Sequence, residues 1–538
     1  MDSLPAELLS IIFTLSASPE SSDSDSDSNN PAVSPCCGYM SWVPCQLSTV
    51  CREWRYVALS TPELWSKIIV NLEDATNSRI CATSPLPEFT VTSMYLSRSG
   101  NYPLDILIDA RDPDWDYSES DVSSAGHTPS PDDDDDDYVH PFSVQHMETV
   151  LRLIIHHFRR LRTLAIFTDR WAPMHKALLY LTWAYKSQAP PPGISCAPLL
   201  ESLVLVRHNE HMNFTEPFSP PGLRDPSWLP LFNPILTHLG ALPRLKNLNL
   251  KGVHIKWPFF PWWLPSPLNS AGLQELELCY HCDEVRPSTA EFRAMLERCP
   301  NLSSLTVRVS GPCCQENEEV RMAGCLRTNA RQMLSMPRLT TLTLGWMDEF
   351  DAILILHMID APNVRTLTLD GSYVQDEDNA EALLLYCGIG STDPRESEGR
   401  PVFPHLRSVS IWHVRAPLHS FAEFFESATR VKALTLVEVT MDAYFALMPA
   451  TLMAITPSLF IPCPTLEKLW ITGYNDAKEA IINVLRTRKA YGARFPEVQL
   501  DATLLDEPAL VVGGECVMME SDEVVLGLHT EDIWWFDA

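Results

Sequence analysis

The residues best suited to chemistry are cysteines and histidines in two short clusters. The segment CYHC at 279–282 has the C-x-x-C spacing of a zinc-ligand pair, but no second pair follows at the distance of a zinc site, and Cys313 and Cys314 lie far along the chain. The segment HNEH at 208–211 lacks the H-E-x-x-H order of a metalloprotease. We therefore expect structural cysteines and no bound metal.

Motifs of catalysis are missing from the sequence. It contains no G-x-S-x-G nucleophile turn, no P-loop and no dinucleotide-binding fingerprint. His156 and His157 fall on a predicted helix that leads into a strand, and no nucleophile accompanies them. We therefore expect a non-catalytic protein without a cofactor, whose chemistry is recognition.

The element that recurs most often is a sequence phrase: an apolar residue, Pro, any residue and then L-x-x-L-x-L. We expect recognition to be performed by this repeated element. Three copies lack the Pro, at 161–167, 273–278 and 431–437. Such copies predict short parallel strands whose leucines share one core, and the Pro is expected to hold the entering chain extended. The copies with Pro begin at Ala197, Leu242, Cys299, Met336, Ala361, Phe403 and Cys463.

Amphipathic helices are predicted between these strands, so that one strand and one helix form a repeat unit. The predicted fold class is α/β: an N-terminal helical domain followed by an irregular leucine-rich-repeat solenoid of parallel strands plus helices. The predicted helices are His146–Arg160, Ala290–Cys299, Asp351–Ile359, Phe421–Thr429 and Ala477–Lys489.

Every second residue of each strand should lie on the face opposite the leucines. Most residues there are small and neutral, which strand propensity alone also explains. Trp is favoured at binding hot spots, and the few cations argue against a strong phosphate pocket. The residues on this face that we expect to bind a protein target are Asn247, Asn249, Lys251, Arg308, Trp412 and Trp470.

Two aromatic clusters leave their role open. The loop KWPFFPWWLPSP at 256–267, with Trp257, Phe260 and Trp263, is either a lid packed on the strands or an exposed patch for a partner. The cluster Ile533–Phe536 poses the same choice, and packing against the last repeat is favoured there.

The N-terminal segment predicts two helices before the repeats. Pro5 suits the first turn of a helix, and a stripe of apolar residues at helical spacing follows, from Leu4 to Phe13. The same spacing recurs from Leu47 through Trp54 in a single second helix, which Ser60-Thr61-Pro62 closes. On geometry alone, these helices are equally compatible with a hairpin that packs on the next domain.

The residue types go further: LP-x-ELL-x-x-IF and then L-S-x-VC-R-x-W-R-x-x-ALSTP-x-LW resemble the F-box, which plugs a substrate receptor into a Skp–cullin (SCF) ubiquitin ligase. The block is most similar to F-box-like proteins abundant in mushroom-forming fungi, where a segment like YLSRSGNYPLDILIDA also tends to follow. The resemblance implies docking to a Skp-family linker protein and through it to a cullin. The residues implied to contact the linker or support that surface are Leu4, Pro5, Leu8, Leu9, Ile12, Phe13, Leu47, Val50, Cys51, Trp54, Arg55, Leu64 and Trp65, with Arg52 at the edge.

Acidic, low-complexity segments interrupt the chain. Residues 14–46 separate the two halves of the F-box-like block and contain the Ser/Asp tract Ser21–Ser28, while residues 112–137 end in six aspartates. The tract Ser21–Ser28 and the block Asp112–Asp137 are too charged to bury, and we expect disorder there. A solvated linker is the simpler interpretation, and phosphorylation of the serines is the alternative. The interruption is tolerable because the entropy of loop closure grows slowly with length.

The bulk properties restrict the class of partner. A chain of 538 residues is too long for one ordinary core, and its net charge of −29 opposes binding to nucleic acid backbones and anionic membranes. The 15 cysteines are scattered, as in reduced intracellular proteins. With no signal peptide and no apolar span expected, the predicted location is cytoplasm or nucleus.

The predicted organisation is a helical F-box-like domain at 1–72 with the insertion 14–46, a connecting segment at 73–144, the solenoid at 145–500 and an acidic cap or tail at 501–538. The predicted function is substrate recognition for an SCF-type E3 ubiquitin ligase, with the repeats holding an unknown target protein. The alternative is a non-ligase leucine-rich-repeat scaffold whose N-terminal helices only cap the solenoid. Exposure or burial of Leu4, Pro5, Leu8, Ile12 and Trp54 discriminates between them.

Overall fold

The computed structural model divides into two compact units, of which unit 1 comprises Met1–Asp25 and Asn29–Arg286, and unit 2 comprises Ser26–Ser28 and Pro287–Ala538. Both are built from parallel strands and helices. The residues that the structure describes are 4–17, 42–76, 87–112, 140–187, 197–207, 242–255, 257–262, 264–265, 272–281, 285–312, 333–374, 380–390, 401–452, 458–472, 478–493 and 496–500.

Unit 1 contains a parallel sheet in which each strand pairs with the next one along the chain. Its strands are β1 (Lys67–Val70), β2 (Leu104–Ala110), β3 (Leu161–Thr168), β4 (Ser202–Arg207), β5 (Asn247–Lys251) and β6 (Glu275–Cys279). Its helices are α1 (Ala6–Ser16), α2 (Val43–Val50), α3 (Arg52–Ser60), α4 (Leu72–Thr76), α5 (Thr90–Arg98), α6 (Val144–Ile154) and α7 (Trp171–Ser187), with 3₁₀ turns at Pro62–Trp65, Ile155–Arg160 and Trp257–Trp262.

Unit 2 has the same plan. Its main sheet is parallel and runs through β7 (Ser304–Arg308), β9 (Thr341–Gly345), β11 (Thr366–Asp370), β12 (Ser408–Trp412), β13 (Ala433–Val437), β16 (Lys468–Thr472) and β17 (Glu497–Leu500). Two short pairs lie outside it: β8 (Leu334–Ser335) with β10 (Ile359–Asp360), and β14 (Ala450–Leu452) with β15 (Ser458–Phe460). The helices are Thr289–Glu297, Glu349–Met358, Glu381–Ile389, Leu418–Ser427, Met441–Phe445 and Lys478–Ala490.

Each of the ten predicted repeat phrases forms a strand, from β3 to β16, and the predicted α/β class with parallel strands is confirmed. Unit 1's sheet nevertheless begins at Lys67 rather than at residue 145. β1 falls in the segment predicted as helical, and β2 falls in the predicted connecting segment. Both belong to the sheet because Ile68, Val70, Ile106 and Ile108 are buried in the core that they share with the later strands.

The prolines act differently from the prediction that they hold the chain extended. The Leu242 carbonyl, directly before Pro243, accepts a hydrogen bond from the N–H of Leu245 at 3.2 Å. The same bond joins Leu302 to Cys299 at 3.2 Å. It closes a β-turn with Pro in its second position, where the fixed φ of Pro is favourable. The Pro thus turns the chain into the strand in the copies that have one.

The chain also leaves several strands in a common way. Val309, His413 and Glu438 follow strands directly and have φ of 50°, 52° and 47°. The N–H of His413 donates to the Val437 carbonyl of the next strand at 2.8 Å, and the N–H of Val309 donates to Gly345 at 2.9 Å. This bond extends the sheet ladder by one residue and offsets the cost of a left-handed conformation in a non-glycine residue.

Candidate functional site

The N-terminal candidate site is built from helices α1 to α3. The single helix predicted from Leu47 through Trp54 is two helices, because Cys51 is extended, with φ −156° and ψ 173°. The Cys51 thiol accepts the N–H of Trp54 at 3.4 Å, and its carbonyl accepts the N–H of Arg55 at 2.9 Å. These bonds start α3, and the predicted closure follows after Ser60.

Leu9 and Phe13 of the expected docking residues lie inside the protein, together with Leu64 and Trp65, which are expected to close the small core. Leu9, Phe13, Leu64 and Trp65 are 5%, 0%, 1% and 0% exposed. The Trp65 indole N–H donates to the Ala58 carbonyl at 2.7 Å. Side chains so deeply buried do not contact a partner, so their role is to support the surface. The Phe13 ring does so directly, since its centroid lies 5.0 Å from that of half-buried Trp54.

The opposite side of α1 is apolar and exposed. Leu4, Leu8 and Ile12 are 49%, 47% and 46% exposed, and Ile11 and Leu15 are 55% and 68% exposed. Residues three and four apart share one side of a helix, so α1 has two apolar stripes rather than the single predicted one. The inner stripe packs on the core, and the outer stripe is open. Sequence reasoning missed Ile11 and Leu15.

Helices α2 and α3 add to this surface. Val50 and Tyr56 are 60% and 72% exposed, and Arg52 and Arg55 are exposed on the side of α3 that also bears Tyr56 and Leu59. Of the other predicted docking residues, Pro5 and Cys51 are exposed and Leu47 is half-buried. We name the outer stripe of α1 with these neighbours the N-terminal apolar face: Leu4, Leu8, Ile11, Ile12, Leu15, Val50, Tyr56 and Leu59.

The second candidate site is the outer sheet face of unit 1, meaning the side of β1–β6 opposite the leucine core. On β1–β4 the middle of this face is apolar rather than small and neutral. Leu107, Ala165 and Val204 form a buried cluster, against which Ile69, Phe167 and Val206 pack. On β5 and β6 the face turns polar, beginning with Asn249, which lies in register with Val204.

The predicted binding residues on β5 are engaged with Glu277 of β6. The Asn249 amide donates to the Glu277 carboxylate, and the Lys251 ammonium lies 3.3 Å from it. Asn247 is half-buried and stands in register with Glu275. Burial, and then the charge of Glu277, raise the pKa of Glu275. The charge of Lys251 is therefore already neutralised by Glu277. In Glu275, by contrast, burial and the neighbouring charge disfavour the ionised carboxylate.

In unit 2 the predicted residues Arg308 and Trp412 come together. The Arg308 guanidinium lies 5.7 Å from the Trp412 ring centroid, and its Nε is 3.4 Å from Oδ2 of Asp370. The side chains of Arg308 and Asp370 are 7% and 3% exposed. Arg308 is therefore half of an internal ion pair and does not offer a free charge to a target.

The remaining predicted residue of unit 2, Trp470, is half-buried on β16, with the Lys468 ammonium 5.8 Å from its ring centroid. Its register neighbours on the sheet are hydroxyl residues, first Thr435 and then Ser410. On this side the row is polar apart from Trp470, as the strand alternation predicts.

The cysteine, histidine and tryptophan clusters are structural where they are described. His281 is buried, its Nε2 lies 3.1 Å from the Val253 carbonyl, and burial lowers its pKa to about 4. Trp257 stacks edge-on against His281 at 5.4 Å and donates to the Val285 carbonyl at 2.7 Å. With Phe260 also buried, this part of the aromatic loop is packed inside unit 1.

Several predictions fall outside the described residues: Cys282, Cys313 and Cys314, the segments 208–211 and 533–536, the tract 21–28 and residues 113–137. Within the described ranges, no group of three or more His, Cys, Asp or Glu is placed to hold a metal ion, and the six cysteines are free thiols. No described helix combines the length and apolar character needed to cross a membrane. The chain matches no protein-family model, and a search of curated proteins finds no match.

Proposed function

We propose that this protein is the substrate-recognition subunit of an SCF-type E3 ubiquitin ligase. In this proposal the N-terminal apolar face docks a Skp-family linker protein, which connects it to a cullin. The parallel strands and helices are leucine-rich repeats that hold the target protein. Ubiquitin transfer belongs to other subunits, and the receptor contributes by raising the effective concentration of the target beside them.

The observation that carries the proposal is the outer stripe of α1. A helix that served only to cap the solenoid would turn its apolar residues inward, as Leu9 and Phe13 do. Leu8 and Ile12, however, remain about half exposed. Contiguous exposed apolar surface on a soluble domain is typical of a partner-binding site. This favours docking over the alternative scaffold.

The chemistry around the stripe defines the partner that would fit. Arg52 and Arg55 lie on the exposed side of α3 with Tyr56. In a chain with a net charge of −29, cations beside an apolar face favour a partner whose surface is apolar with an acidic edge. The F-box-like residues of this segment make a Skp-family linker the partner proposed.

The repeated turn and strand support the solenoid part of the proposal. The same β-turn precedes strands in both units, as at Leu242–Leu245 and Ala361–Val364, and each strand pairs in parallel with the next repeat. A unit of this kind cannot bury its own apolar face and requires stacked neighbours. Stacked repeats expose a continuous row of variable residues, which suits selection of a protein target.

The test is co-purification of the full-length chain with a Skp-family linker protein. Leu8→Asp should reduce binding at least about 100-fold, because it places a carboxylate in an apolar contact. Trp54→Ala should weaken binding through loss of its support against Phe13. Since Leu8 is exposed in the free chain, its replacement should leave folding intact, which circular dichroism can verify.

The matched control is Leu418→Asp, because Leu418 is also an exposed leucine on a helix, 45% against 47% for Leu8, but lies in unit 2. It should bind the linker like the wild type. Failure of the wild type to bind would remove the ligase proposal and leave the scaffold. Equal loss in both variants would show a general effect of the added charge and not a specific face.

A further inference from the structure

The outer sheet face of unit 1 has an uneven composition across its strands. In the aligned register, Ile69, Leu107, Ala165 and Val204 form one row across β1–β4, and the row continues into Asn249 and Glu277 on β5 and β6. An apolar strip thus ends at a pair of glutamates, since Glu275 stands two residues before Glu277 on the same side of β6.

Three of the four carboxylates on this face have a cation of their own. The fourth, Glu275, has an oxygen, Oε2, that is buried without a hydrogen-bond partner, and the described residues provide no ion pair for it. Its neighbour Asn249 likewise has a buried Oδ1 that accepts no hydrogen bond. The paired carboxylates are Asp105 with Arg162, Asp109 with Arg111, and Glu277 with Lys251.

A lone carboxylate in this place is costly to the free protein. Burial removes water from Glu275, and Glu277 adds repulsion, so the pKa of Glu275 is raised. Two unpartnered acceptor oxygens, on Glu275 and Asn249, lie at the polar end of the strip. Glu275 as a whole is half-buried, so its carboxylate can be neutralised by a donor cation such as a guanidinium, which has several N–H groups and no acceptor.

We propose that this face binds an extended segment of a partner protein, with an apolar side chain against the half-buried Phe167 and Val206 of β3 and β4 and an arginine or lysine at Glu275. This rests on the proposed function, and it defines the class of target as basic with an apolar anchor. The net charge of −29 would also attract such a target over a long range.

The spacing of the two contacts sets the peptide pattern. Neighbouring strands are about 4.8 Å apart, so β4 and β6 are separated by about 10 Å. Glu275 is offset along the strand from Val206, which lengthens the path to about 16 Å. An extended peptide advances about 3.3 to 3.6 Å per residue, so the basic residue should lie about four to five positions from the anchor.

The test uses fluorescent synthetic peptides and the full-length chain. One set has a leucine and an arginine at this spacing in a Ser/Gly background, a second set has glutamate for the arginine, and a third has serine for the leucine. The first set should bind most tightly. Glu275→Gln should reduce its affinity about fivefold to tenfold and have little effect on the second set.

Matched variants separate binding from folding. Glu275→Gln keeps the side-chain shape, and Val206→Ser should weaken the leucine peptides while leaving the preference for arginine over glutamate. Glu438→Gln, a change of the same kind on an exposed glutamate of unit 2, should have no effect. Equal binding of arginine and glutamate peptides, or a preference that Glu275→Gln leaves intact, would overturn the inference.

This outcome is distinguishable from failure of the ligase proposal. Linker binding depends on α1, and peptide binding depends on β3–β6. A chain that binds the linker but shows no preference among the peptides would refute only the target class. A chain that selects the basic peptides but does not bind the linker would refute only the ligase assignment.

Discussion

Removing the charge of Asp370 should loosen the sheet of unit 2 locally. Arg308 crosses Gly345, where an added Cβ would come within 3.0 Å of its side chain, and reaches Asp370 on β11. Asp370→Asn removes the carboxylate from a buried ion pair, a change that costs about 3 to 5 kcal/mol. The Nε–Oδ2 separation of 3.4 Å is longer than a strong charged hydrogen bond, so we expect about 3 kcal/mol.

The assay is hydrogen exchange followed by mass spectrometry on the full chain, because a protein of this length does not unfold in a single step. A loss of about 3 kcal/mol corresponds to exchange about 100-fold faster in the amides of β9 and β11. The control Glu438→Gln breaks an exposed pair with His413 and should change exchange less than about fivefold. An increase below about tenfold for Asp370→Asn would refute the argument that the pair stabilises these strands.

Two further predictions concern helix packing. Glu148 pairs with Lys176 at 2.8 Å and accepts a hydrogen bond from Tyr180 at 2.6 Å, and these contacts lower the pKa of Glu148 from 4.5 to about 2. The contribution of this α6–α7 clamp to stability is therefore full above pH 4.5 and disappears as pH falls toward 2. The stability difference between wild type and Glu148→Gln should shrink over that interval, and a constant difference would contradict it. Gly388→Ala should lower stability by about 1 to 3 kcal/mol, because its Cβ would lie 3.0 Å from the Glu423 carbonyl oxygen. Alanine otherwise favours a helix, so a higher melting temperature would refute this contact.

Side-chain spacing is sufficient to predict the ten repeat strands because only one of their faces is buried in the leucine core. Leu276 and Leu278 are 1% and 0% exposed, and Glu275 and Glu277 between them are half-buried. This alternation, repeated with the same turn, identifies each strand in the sequence. It also places Asn247 and Trp470 correctly on the outer face.

The strands β1 and β2 are missed for the same physical reason. In β2, Ile106 and Ile108 belong to the core, but Leu107 between them is buried in the apolar strip of the opposite face. A strand with two apolar faces shows no alternation of polar and apolar residues, and a short one cannot be told from a helix by spacing. β3 and β4 also carry the strip, but their L-x-x-L-x-L phrase identifies them, whereas β1 and β2 lack that phrase.

The docking helices are predicted in type but not in detail. Spacing groups Leu8 and Leu9 in one stripe, although they lie on opposite sides of the boundary between surface and core. The spacing also predicts a single helix that continues through Cys51, because one extended residue between two helices leaves the apolar spacing nearly unchanged. Which apolar residues are covered depends on contacts such as Phe13 with Trp54, which are distant in sequence.

Electrostatic partners are the part that sequence could not provide. Lys251 and Arg308 are the cations expected to meet a target, but Lys251 pairs with an acid on the adjacent strand and Arg308 pairs with an acid two strands away. Strand register decides these pairs, because residues far apart in sequence become adjacent only when the strands align. A net charge or a list of outward residues does not contain that information.

The same register explains why Glu275 stands apart. A repeat fold needs its leucines and turns for stability, and it tolerates any paired charge on the outer face. An unpaired, half-buried carboxylate beside an apolar strip serves neither requirement, and it lowers the stability of the free chain. Departures of this kind are expected at functional sites, where a partner supplies the missing contact. Glu275→Gln should stabilise the free chain and weaken its binding of the basic peptides. The two measurements together would show that one side chain lowers the stability of the free protein and contributes to binding.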